Sequence, residues 1–149
     1  GVNQFTALTK TEFKETYLSN YEAHKDFQPL LGYTSPVDLN VDWVTYGAVS
    51  PVKNEGACKA NYAFSAIGAI EALSVIIYHQ QTEYSAQEIV DCSSSFGNNG
   101  CVSGNMVNSF NFILTEVLFL NIGSNTETAY PYVARLQTCA SKSGLFKIK

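Results

Sequence analysis

Between Cys58 and His79 lies the feature that most limits how this chain can fold: Ala60 to Tyr78, an almost unbroken apolar stretch. Asn61, Ser65, Glu71 and Ser74 are its few polar interruptions. The length approaches that of a membrane-spanning helix. A glutamate near the centre of a span is costly in hydrocarbon, however, and few basic anchors flank the stretch. The expectation is therefore a long core helix and no membrane span. Phe64, Ile67, Ile70, Leu73 and Ile77 recur at three- and four-residue steps, and Ala63, Ala66, Gly68 and Ala69 permit close packing.

The rest of the composition suits a packed domain around that helix. The chain has 149 residues, 46% hydrophobic and only 15% charged, which argues against global disorder. Nine basic and thirteen acidic residues give a net charge of −4, and no run of Lys or Arg suggests a nucleic-acid groove or an anionic-membrane patch. The N-terminus lacks a signal-peptide apolar run and reads as if cut from something longer.

Shorter elements follow from local signals. Thr9-Lys-Thr-Glu12 is a capping box, with Phe13 and Tyr17 four apart behind it, and predicts a short helix over 9–18. Residues 20–35 read as an extended linker ending near Pro36. Asp42-Trp43 and Gly47 to Pro51 look like a strand edge and turn. Ser85-Ala-Gln-Glu88 opens a second capped helix with Ile89 and Val90, and 93–104 is a Ser/Gly/Asn-rich loop. Met106, Phe110, Ile113 and Val117 mark a third core helix.

Ordered blocks then carry a resemblance. Asp42-Trp43, Gly47 to Asn54 and Glu55-Gly-Ala-Cys-Lys-Ala-Asn-Tyr-Ala-Phe-Ser65 are similar to the segment around the nucleophile of papain-like cysteine proteases. Tyr84 to Cys92, Asn99-Gly-Cys-Val-Ser-Gly104 and Thr128-Ala-Tyr-Pro-Tyr132 resemble later blocks of the same family. Gly1-Val-Asn-Gln-Phe5 with Thr11-Glu-Phe13 resembles the tail of its inhibitory prosegment. The resemblance implies the helical N-terminal half of the papain-like fold at 36–149, with the β-rich second domain absent, preceded by a prosegment-like tail and linker at 1–35. The fold class expected is mainly α, from an α+β family.

The departures bear on chemistry. Asn61 stands where the family motif has its nucleophilic cysteine, and an amide has no comparably nucleophilic atom. Glu55 stands where the family has the glutamine that donates to the oxyanion; a carboxylate is acceptor-only and would repel developing negative charge. Lys59 replaces a glycine and Tyr62 a tryptophan. The family's catalytic histidine and its orienting asparagine belong to the missing domain, and neither His24 nor His79 matches that position. The resemblance thus implies a catalytically inactive homologue with a structural or protein-binding role. Its partner would cover the face where the second domain packs. A fragment of a cysteine endopeptidase needing another chain, or a prosegment-type inhibitor, are the alternatives.

Further expectations concern single residues. Asn61 at a helix start suits a capping role, and Lys59 is placed to pair with Glu55. Lys59, Tyr62, Ser103, Gly104 and Met106 fall where the family lines its substrate groove, and are candidates for a vestigial one. Four cysteines allow three pairings, and the chain lacks the short C-x-x-C hook typical of zinc sites. The family pattern implies Cys58–Cys101 and Cys92–Cys139, hence a secretory or lysosome-like compartment. No metal or cofactor is implied, and Asn-X-Ser/Thr acceptors are absent.

Overall fold

A computed structural model describes residues 1–18, 40–115 and 124–140. The expected linker at 20–35, His24, the boundary at 35–36 and Val117 lie outside these residues. The described elements are four α-helices: α1 (Lys10–Tyr17), α2 (Asn61–Tyr78), α3 (Ala86–Cys92) and α4 (Met106–Ile113). A 3-10 turn (Ser93–Phe96) follows α3. The described residues contain no strand; pairing is confined to the isolated bridges Tyr84–Thr126 and Asn99–Ser103. This is the helical architecture the sequence implies.

The capping box of α1 forms in full: the Thr9 hydroxyl accepts from Glu12 N, and the Glu12 carboxylate accepts from Thr9 N. The Thr9 N–H, and the Thr9 hydroxyl donating to the same carboxylate oxygen, hold the Glu12 carboxyl below its usual range. Phe5, Phe13 and Tyr17 pack on one another with ring centroids 5.2–5.6 Å apart, yet no residue of α1 is buried. At α3 only half of the box forms. Ser85 Oγ accepts from Glu88 N, while the Glu88 carboxylate turns away to Asn125.

The segment read as a strand edge is instead a turn. Asp42 Oδ1 accepts from Val44 N and Thr45 N, and Thr45 Oγ1 donates to Oδ2. An aspartate that ties up local backbone donors removes them from any ladder. Gly47 completes the turn at φ +80°, a conformation open to glycine.

Helix α2 is the scaffold, but its inward face is not the one its large aliphatics suggest. Tyr62, Ala63, Ala66, Ile67, Glu71 and Ser74 are buried, whereas Leu73 and Ile77 are 51% and 54% exposed and Gly68 and Ala69 also face outward. Alanines at 63 and 66 let α2 approach α3 and α4 closely, and Ile67, Ile89, Val90, Phe112 and Ile113 fill the space between them. Leu73 and Ile77 thus leave the opposite, aliphatic side about half open.

Glu71 shows why this helix belongs in a protein core. Its carboxylate accepts from Ser50 Oγ, Lys53 Nζ and Tyr84 N, so a buried charge is both paired and hydrogen-bonded. By length and hydropathy α2 could cross a membrane; it is the one helix of the described residues that could. The helix ends at His79, which adopts left-handed geometry (φ 53°) and donates its N–H to Ser74 and Val75 carbonyls.

Two disulfides staple this framework, Cys58–Cys101 and Cys92–Cys139, with Cα atoms 4.5 and 4.9 Å apart. These are the pairings that the family pattern implies.

Candidate functional site

The site is built at the N-terminus of α2. Cys58, bridged to Cys101, fixes the approach to the helix, and Ala60 beyond it is fully buried. Asn61 is the first residue of the helix and is exposed. The expected cap is corrected here: Ala60 occupies the cap position and no side chain bonds to the helix from it. Asparagine at the first helical position lies one residue too late to fold back on the following N–H groups.

Glu55 supplies what a cap would have supplied. Its carboxylate accepts from the main-chain N–H of Ala60 and of Asn61. Helix N-terminal donors attract negative charge, so the contact satisfies two of them. Burial nonetheless wins at this carboxyl and raises it above the ordinary 4.5, with the two main-chain bonds opposing the rise. The second oxygen, Oε2, is buried with no hydrogen-bond partner. The expected Lys59–Glu55 ion pair is absent; the ion pair formed among the described residues is Lys53–Glu71.

The backbone of Glu55 is clamped by a residue that motif reading included in the Thr128–Tyr132 block but gave no role at the site. Tyr132 Oη donates to the Glu55 carbonyl over 2.8 Å, and its ring meets Phe64 edge-on at 4.7 Å. Burial first, then the carboxylates of Glu55 and Glu127, push the Tyr132 hydroxyl up to about 12. The signal available was the aromatic Tyr-Pro-Tyr turn; its seventy-seven-residue separation from Glu55 hid the contact.

The remaining groove candidates divide. Tyr62 is 2% exposed and belongs to the core, correcting its placement on a groove surface. Its hydroxyl donates to Gly100 O at 2.8 Å, and its ring lies so close to Gly104 that a Cβ there would meet ring carbons at 2.5 Å. Burial raises this hydroxyl even further than that of Tyr132. Ser103 and Gly104 are half-buried and Met106 is exposed at the start of α4, where Ser65 Oγ reaches its sulfur at 3.0 Å. Glu55, Asn61, Ser65 and Met106 therefore surround the α2 N-terminus, while Tyr62 supports it from beneath.

Chemically this set offers acceptors and an amide. All four cysteine sulfurs are in disulfides. His79 sits at the far end of the eighteen-residue α2, about 27 Å away at 1.5 Å per residue. Among the described residues no group of three His, Cys, Asp or Glu is close enough to hold a metal.

Comparison with known proteins gives this framework its relatives. Residues 37–148 match the family described as papain family cysteine protease. The chain is 38% identical over 144 residues to cysteine proteinase 6 of Dictyostelium discoideum, covering 93% of this chain and 32% of that protein. It is 34% identical over 148 residues to fruit bromelain of Ananas comosus, covering 96% and 40%. The structure of digestive procathepsin L 3 of Tenebrio molitor larval midgut superposes with a TM-score of 0.79 at 34% identity, over 99% of this chain and 46% of that one. The chain thus spans less than half the length of these relatives.

Proposed function

The chain belongs to the papain family of cysteine proteases, and from that premise we propose that it is a catalytically inactive member acting as a structural or protein-binding subunit. The observation that carries this reading is the α2 N-terminus. Asn61 stands at the position that the family resemblance aligns with the nucleophile, and the Glu55 carboxylate accepts from the N–H groups of Ala60 and Asn61. A tetrahedral intermediate needs donors at its oxyanion, and a carboxylate on those same donors opposes that charge. In this reading residues 1–35 are a prosegment-like tail and 36–149 the helical half-domain. The partner is a protein seated on the aliphatic side of α2, at Leu73 and Ile77. The two disulfides and the family point to a secretory or lysosome-like compartment.

The test is a cysteine-protease activity probe applied to the purified chain with disulfides intact. No covalent capture is expected. Stoichiometric labelling at any residue would end the inactive reading.

A second reading has one observation in its favour. Coverage of only 32–46% of the relatives fits a fragment of a cysteine-type endopeptidase whose activity depends on another chain. Peptide turnover on mixing with such a chain would support it over the first.

A further inference from the structure

No run of basic residues exists in the sequence, yet folding gathers one. Lys10 and Lys14, one turn apart on α1, and Lys59, from the loop before α2, line a single open hollow of about 520 Å³. These are three of the nine Lys and Arg residues of a chain whose net charge is −4. Among the described residues none of the three forms an ion pair, although Glu15 borders the same hollow. Three positive side chains bordering one hollow favour an anion within it.

A second hollow of about 400 Å³ is also lined by α1 and by the segment before α2. On the α1 side it is lined by Phe5, Phe13, Tyr17 and Leu18, and on the other by residues 53–57. Helix α1 therefore meets the 53–59 loop with lysines at one hollow and aromatic rings at another. The pairing selects among anions. A long, uniformly charged polymer would run from the lysines onto the surface of a net acidic chain. A short peptide with a few carboxylates beside an apolar side chain matches both hollows.

We propose that α1 and the 53–59 loop form a docking site for an acidic peptide segment of a partner protein, its carboxylates entering among Lys10, Lys14 and Lys59 and its apolar side chain resting on Phe13 and Tyr17. The proposal rests on the binding role given above and names the chemistry of one partner contact.

The experiment uses the purified full chain and a fluorescent synthetic peptide with an Asp/Glu run next to a leucine, read by anisotropy. An otherwise identical Asn/Gln peptide and a heparin-derived oligosaccharide are the comparison arms. The acidic peptide is expected to bind at least about tenfold tighter than its amide twin, with affinity falling as salt rises. Lys10→Glu, Lys14→Glu and Lys59→Glu together should weaken it by at least about tenfold, with circular dichroism and the disulfide map unchanged. The milder pair Lys14→Gln and Lys59→Gln should show a smaller loss in the same direction. Equal binding of the two peptides, unchanged binding by both variants, or tighter binding of the oligosaccharide would overturn the proposal. The activity probe on the same sample reports separately: labelling there with peptide binding intact would remove the inactive reading alone.

Discussion

At Glu55 two influences on one carboxyl oppose each other: burial favours the neutral acid, and the N–H groups of Ala60 and Asn61 favour the carboxylate. Burial prevails, so the folded pKa lies above the ordinary one. The stability that this group contributes is then fully present below the unfolded pKa and lost as pH rises through the folded value. Glu55→Gln keeps an acceptor oxygen but cannot ionise. Between about pH 4 and 7 its stability is expected to fall less than that of the parent, measured by urea unfolding across that range. Glu12 and Asp42, held low by their own hydrogen bonds, act with the opposite sign in both proteins and cancel in the comparison. Gly104 gives a steric counterpart. Its Cβ position lies 2.5 Å from the ring of Tyr62, and the hydroxyl bond to Gly100 keeps that ring from swinging away. Gly104→Ala is expected to cost about 1–3 kcal/mol by the same unfolding measurement.

Among the elements, those with local signals were legible and those decided by distant partners were not. Thr9 and Glu12 announce α1 because each cap bond spans three residues. Glu88 misleads because its carboxylate finds Asn125, thirty-seven positions away, in place of its own helix end. The repeat of Phe64, Ile67, Ile70, Leu73 and Ile77 marks a helix but not its inward face, since apolar residues line the other sides of α2 as well. Small residues and Glu71 took the inner face; Leu73 and Ile77 kept the outer one. The blocks around Glu55 and Asn61 located the candidate site, whereas its clamp, Tyr132, depended on a contact no local pattern contains. Because Leu73 and Ile77 are exposed, replacing both by Glu should shift the Tm of the isolated chain little, equivalent to about 0.5 kcal/mol per site or less. The same change should abolish partner capture through that face, measured by sedimentation.

For the whole molecule, the limited core makes the bridges decisive. Cys58–Cys101 and Cys92–Cys139 close loops of 43 and 47 residues, each worth about 4 kcal/mol in the chain-entropy account. A domain of this size has a margin of about 5–15 kcal/mol. Mild thiol reduction should therefore unfold the isolated chain, followed by loss of the helical circular dichroism signal; a helical spectrum surviving full reduction would contradict this. The arm that the second bridge holds has its own consequence. Val133 N donates to Gln87 Oε1, Arg135 O accepts from Gln87 Nε2, Gln137 N donates to Asp91 Oδ1, and Cys139 is bonded to Cys92. Every second residue of an exposed, irregular strap is thus pinned to α3. A protease must draw several consecutive residues of extended chain into its cleft, and this strap has no two adjacent residues free of an anchored neighbour. Though it looks like an open substrate, it should resist digestion until the disulfide bridge is cut, so that a member of a protease family carries an exposed segment in a form proteases cannot take up.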